Sequence, residues 1–118
     1  MIYNDPYLTR RKMVTLTLYQ QQLTTWYDNY TWAIIDGVKY DKPQVLEVKA
    51  GTAVDCVITT YGPATPKGHL NGERVDLTKG EDDLYHYVYK ADKNAKICFA
   101  SESFPGGVSS WFNITEET

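Results

Sequence analysis

The sequence predicts an all-β fold, an antiparallel sandwich of roughly seven to nine short strands, with turn signals spaced at about the interval such folds show. Three observations carry this. Several stretches alternate apolar and polar residues with a period of two, the repeat of a half-buried strand. Asp36-Gly37 and Asn71-Gly72 stand between short strand-like runs, and these residue pairs accept the positive φ angles of tight hairpins. No segment sustains a helical period.

Residues 1–12 carry Pro6, Tyr3, Tyr7 and the cationic run Arg10-Arg11-Lys12 without either periodicity, so they read as an extended N-terminal arm ahead of a domain covering 13–118. From Lys12 to Tyr19, Val14, Leu16 and Leu18 fall on one face and Thr15, Thr17 and Tyr19 on the other, which predicts the first strand. Gln20 to Asn29 reads as a long loop in which Trp26 or Tyr27 folds back. Tyr30 to Ile35 forms a second strand, and Asp36-Gly37 turns it into Val38 to Tyr40.

The middle of the chain dictates the fold. A third strand runs from Val45 to Lys49, Ala50-Gly51 breaks it, and a fourth follows from Thr52 to Thr60. Val54, Cys56 and Ile58 form its inward row and Ala53, Asp55, Val57 and Thr59 its outward row, because a buried unpaired carboxylate would cost several kcal/mol. Gly62 to Gly68 is a proline-bearing pause, Gly68 to Val75 the Asn-Gly hairpin, and Asp76 to Asp83 a polar connection ending in a solvated acidic turn. Leu84 to Lys90 and Ala95 to Ser101 are strands separated by a turn at 91–94. Ser103 to Gly107 breaks the chain before Ser109 to Thr115, with Phe112 and Ile114 facing in and Trp111 and Asn113 out.

Composition narrows the function classes. The 15 acidic and 12 basic side chains leave a net charge of -3, which opposes a general role in coating nucleic acid. Nothing at the start resembles a secretory signal, and no apolar run approaches the ~20 residues of a membrane span. A soluble product of the cytoplasm, with no nucleic-acid or membrane partner, is expected. The glycosylation patterns at Asn29 and Asn113 carry no weight without a secretory route.

The parity of the strands separates the cysteines. Cys56 lies in an inward row, whereas Cys98 alternates with the core pair Ile97 and Phe99, so the two face opposite ways and both thiols are expected to be free. Two cysteines and two distant histidines do not make a zinc site, Glu81-Asp82-Asp83 lacks the spacing of a calcium loop, and Gly106-Gly107 lacks the lysine of a phosphate loop. No nucleophile stands beside His69 or His86 in a recognisable arrangement, so no catalytic, cofactor or metal residue is assigned.

The ten tyrosines and three tryptophans, against three phenylalanines, suit half-exposed faces and interfaces. Tyr85, Tyr87 and Tyr89 share one face of a strand. They form either a core stripe or an exposed stacking platform that Trp26 and the outward Trp111 would extend.

The succession Ile35-Asp36-Gly37-Val38-Lys39-Tyr40, Leu46 to Val54, His69 to Val75, Tyr87 to Asp92, Ala95 to Phe99 and Trp111 to Thr115 resembles small immunoglobulin-like β-sandwich domains. Such domains recur in virion proteins of tailed bacteriophages and in bacterial surface proteins, and the resemblance spans roughly residues 13–116. It implies a structural or adhesive module without an active site or cofactor. A domain of this kind behind a short arm looks like a phage capsid-decoration or accessory virion protein, made in the host cytoplasm. Tyr3, Tyr7, Arg10, Arg11 and Lys12 would then bind other virion proteins of the capsid or tail lattice. The alternative is a carbohydrate-binding or adhesion module that meets cell-surface glycans through exposed Tyr and Trp side chains.

Overall fold

The computed structural model describes residues 13–22, 29–61, 64–92, 94–103 and 107–117. The expected arm at 1–12 and Trp26 lie outside them. The strands are β1 (Met13–Gln22), β2 (Thr31–Ile35), β3 (Val38–Tyr40), β4 (Gln44–Lys49), β5 (Thr52–Ile58) and β6 (Thr65–Leu70), then β7 (Glu73–Val75), β8 (Thr78–Lys79), β9 (Tyr85–Ala91), β10 (Lys96–Ser103) and β11 (Gly107–Glu117). They form two antiparallel sheets, one of six strands in the order β4-β1-β11-β10-β6-β7 and one of five in the order β3-β2-β5-β9-β8. The described residues thus hold eleven strands, more than seven to nine, because β3, β7 and β8 are only two or three residues long. Pieces this short carry no readable periodicity, and β8 falls in what reads as a polar connection.

Both hairpins follow their turn chemistry. Asp36 and Gly37 have φ of 51° and 76°, and Asn71 and Gly72 have 52° and 84°, so each two-residue turn has the positive φ at both central positions that suits the twist of paired strands. Asn71 does more than turn the chain. Its Oδ1 accepts a hydrogen bond from the Lys96 N–H at 2.8 Å, and its own N–H donates to Lys96 O at 2.8 Å, fixing the hairpin to the start of β10.

Two boundaries differ from the pattern. The glutamine run reads as loop, yet β1 continues through it, because β11 supplies ladder partners with Gln20 opposite Phe112 and Gln21 opposite Trp111. The pause before His69 is already strand from Thr65, and Pro66 fits where β10 is the neighbour on one side only, so a missing N–H donor is tolerated.

The core lies between the sheets. Val14, Leu16, Leu18, Ile97, Phe99, Phe112 and Ile114 come from the larger sheet and meet Ala33, Ile35, Val54, Cys56, Ile58, Tyr89 and Ala91 from the smaller one. Phe99 and Phe112, partners across β10 and β11, stack with ring centroids 5.1 Å apart. Thr31 and Ser110 hydroxyls bond at 2.7 Å across the sheets, and both are buried. At one end the buried Asn29 accepts from the Tyr61 N–H and donates to Tyr61 O at 3.2 Å, anchoring the entry to β2 against the exit from β5. The side chain of Asn29 is therefore committed inward.

Val57 and Thr59, both expected in the outward row, are buried. Val57 does lie on the outer side of β5, but it stands between its cross-strand partners Trp32 and His86, which cover it. Bulky neighbours, not parity, decide its burial.

Candidate functional site

The alternation of β1, β11, β10 and β6 that directs Leu18, Phe112, Phe99 and Gly68 inward sends their neighbours to the outer face of the six-stranded sheet. Register arranges those outward residues in rows across the strands. One row is Gln21, Trp111, Ala100 and Lys67; the next is Tyr19, Asn113, Cys98, His69 and Arg74. The short side chains of Ala100 and Cys98 on β10 form a depression between Trp111 and Asn113 on one side and Lys67 and His69 on the other. It is a groove of about 360 Å³. A second depression of about 350 Å³ shares His69, Cys98 and Asn113 and continues toward Lys96 and Thr115.

The groove lining combines one aromatic ring, Trp111, with polar side chains and one lysine–glutamate pair, and Tyr19 stands one strand away from it. Trp111 is half-buried, Tyr19 is 50% exposed, and the Tyr19 hydroxyl donates to Gln21 Oε1 at 3.3 Å. Lys67 Nζ lies 3.2 Å from Glu102 Oε2, so the charged pair at one end balances itself. Glu102 reaches that position just past the register shift between Ser101 and Glu102. Desolvation, with the Glu102 charge adding to it, pushes the Cys98 thiol up, which keeps it protonated and a poor nucleophile at neutral pH. Among the described residues, the side chains of His69 and Asn113 make no hydrogen bond.

The aromatic platform has moved from where a strand of tyrosines suggests it. Tyr89 is buried, and Tyr85 and Tyr87 pack against the core. Tyr87 and Tyr89 lie nearly parallel with centroids 6.5 Å apart on the inner face of β9. This corrects the exposed-platform reading of that row: the inner face of the smaller sheet is covered by the larger one, and even the Tyr89 hydroxyl is buried. Burial pushes the Tyr89 phenol well up. Trp111 keeps its outward position, and Tyr19 joins it as the second ring. The signal for Tyr19 was its place in the outward row of β1.

A second constellation lies on the outer face of the five-stranded sheet. His86 Nδ1 is 2.9 Å from Asp55 Oδ2, and His86 Nε2 is 2.9 Å from Asp82 Oδ2. Both ring nitrogens can donate only when the imidazole is protonated. Desolvation pulls that charged form down, but the hydrogen bonds and charges of Asp55 and Asp82 outweigh it and raise His86 above its ordinary 6.5. Asp82 is held below its ordinary 3.8 mainly by the Leu84 N–H, opposed by desolvation and aided by His86. The acidic turn is thus structured, with Asp83 at φ 68° bridging Lys79 at 3.1 Å. On the same face Lys39 Nζ sits 4.2 Å above the Trp32 ring.

Cys56 is fully buried and Cys98 open to solvent, and both are free thiols. Among the described residues no group of three His, Cys, Asp or Glu side chains is placed to hold a metal ion, and no helix is long and apolar enough to cross a membrane. No protein-family model, curated protein or solved structure matches the chain.

Proposed function

We propose that this chain is a non-enzymatic structural protein of a tailed-phage virion, a capsid-decoration or related accessory protein whose sandwich projects from the particle. The observation that supports it is the order of turns and strands on which the immunoglobulin-like resemblance rests. Asp36-Gly37, Gly51 and Asn71-Gly72 all serve as turns of one antiparallel sandwich, and Trp111 to Thr115 lies within β11 inside the larger sheet. The warrant is analogy of fold. The state of His86 agrees with it, since a ring with both nitrogens engaged by carboxylates is not free to act as a general base.

In this reading residues 1–12 attach to the lattice, with Arg10, Arg11 and Lys12 meeting acidic surface and Tyr3 and Tyr7 adding contact area. Deletion of residues 1–12 is expected to abolish co-sedimentation with particles while leaving the thermal melt unchanged. Truncated protein that still decorates particles would defeat the arm assignment.

A second reading, adhesion to cell surfaces, is favoured by the open groove beside Trp111. The two are compatible, because a projecting virion domain is well placed to touch a host.

A further inference from the structure

We infer that the outer face of the six-stranded sheet binds a neutral oligosaccharide laid across β1, β11, β10 and β6, with Trp111 and Tyr19 as its stacking rings. This inference rests on the adhesive reading and gives it a ligand class and a set of contacts.

Register sets the dimensions. From β1 to β6 there are three strand spacings, or about 14 Å, the length of a short oligosaccharide. Tyr19 and Trp111 stand on adjacent strands in adjacent rows, Tyr19 opposite Asn113 and Trp111 opposite Gln21. Two rings so placed offer consecutive apolar surfaces to the C–H faces of pyranose rings, while tryptophan and tyrosine keep polar ends for the rim.

Hydrogen bonding selects the same ligand. Sugar hydroxyls both donate and accept, and so do the amides of Asn113 and Gln21, with the ring nitrogens of His69 in the same row. Asn113, with Cys98 and His69 beyond it in the same row, lines the groove next to Trp111. Charge agrees with the match: within the groove lining Lys67 is paired with Glu102, while Arg74 at the end of the row and Lys96 in the adjoining depression lie outside that lining. A basic or acidic peptide would meet that balanced pair with no complementary charge.

Cys98 provides a local reporter, as the floor of the groove holds an open thiol and the chain's other cysteine, Cys56, is fully buried. The full chain is titrated with neutral oligosaccharides of several linkages and with uronic-acid counterparts, while alkylation of Cys98 by iodoacetamide is followed at alkaline pH, where its raised thiol supplies enough thiolate to react. A neutral oligosaccharide is expected to bind and to slow Cys98 alkylation. Trp111→Ala should weaken binding about tenfold or more, and Tyr19→Ala or Asn113→Ala about threefold to tenfold, with thermal melts close to the parent. Preference for the acidic sugars overturns the neutral assignment. So does binding that leaves Cys98 reactivity and the Trp111→Ala affinity unchanged. Adsorption of labelled protein to bacterial cells is measured alongside: adsorption that depends on Trp111, with no neutral oligosaccharide bound, overturns the glycan assignment and leaves adhesion standing.

Discussion

On the five-stranded sheet His86 is held between Asp55 and Asp82, and Lys39 covers Trp32; on the six-stranded sheet His69 and Trp111 border an open groove. Among the described residues each face carries one histidine and one tryptophan outward, so residue type does not separate them. Their neighbours do. Asp55 is diagonal to His86 across β5 and β9, and the turn after β8 brings Asp82 to the other side of the ring, so that polar groups there satisfy one another. Across β11, β10 and β6 the neighbours of Trp111 and His69 are Ala100 and Cys98, which are too short to cover them. A histidine closed between carboxylates stabilises its sheet, whereas Trp111 and His69 beside short residues leave a groove open.

Both faces depend on the same core, and the largest expected effect comes from breaking it. Phe112, fully buried, stacked on Phe99 and next in sequence to Trp111, should cost about 3–5 kcal/mol when replaced by Ala. His86 ring resonances on one sheet and the Trp111 indole N–H resonance on the other should then report one shared unfolding midpoint. Separate midpoints would show that the sheets unfold independently, and the two faces would no longer be alternatives built on one core.

A smaller and more selective loss is expected from His86→Ala, roughly 1 kcal/mol at pH 6 once solvent access to the ring is allowed for. Its pH dependence has a definite sign. The pKa of His86 is raised in the folded chain, so its contribution is complete below about 6.5 and fades as pH rises through the folded value. That of Asp82 is depressed, so its contribution is present above about 3.8 and fades as pH falls through the folded value. The clamp is whole between those limits. Melting curves of parent and His86→Ala protein should therefore differ most in that interval and converge in alkali; a difference that grows with pH would contradict the clamp.

The gentlest probe is Gly80→Ala. A Cβ there would lie 2.7 Å from Asp82 Oδ1 and 3.2 Å from the His86 ring, and the carboxylate, as the far end of a side chain, is the group that yields. His86 should keep Asp55 and lose Asp82. An NMR titration is expected to place its pKa below that of the parent, with little change in melting temperature. An unaltered titration would mean that Asp82 contributes nothing to the ring.

Much of this was legible in period-two patterning. The inward rows Val14, Leu16 and Leu18, then Val54, Cys56 and Ile58, then Phe112 and Ile114, are all buried, and the opposite facing of Cys56 and Cys98 follows from the same alternation. The two positive-φ hairpins follow from Asp-Gly and Asn-Gly alone. The clamp was not legible, because Asp55 lies 31 residues before His86 and meets it only through the β5–β9 register, while Asp82 is brought back onto the ring by the 80–84 turn. For β9 the pattern gave two faces of comparable bulk, tyrosines on one and Leu84, His86 and Val88 on the other, and alternation cannot say which of two such faces a second sheet will cover.

By itself, then, the sequence determined most of the strands, the two hairpins, the facing of the apolar rows on β1, β5 and β11 and the opposite facing of the two thiols, since these depend on local backbone geometry and on the alternation of side chains along an extended chain. Only the tertiary structure decided that Tyr85, Tyr87 and Tyr89 face inward, that His86 is locked between two carboxylates, and that Trp111 and His69 border a groove floored by Ala100 and Cys98. Those outcomes rest on register and on which faces the two sheets press together, and both are set by contacts between residues that the chain itself keeps far apart.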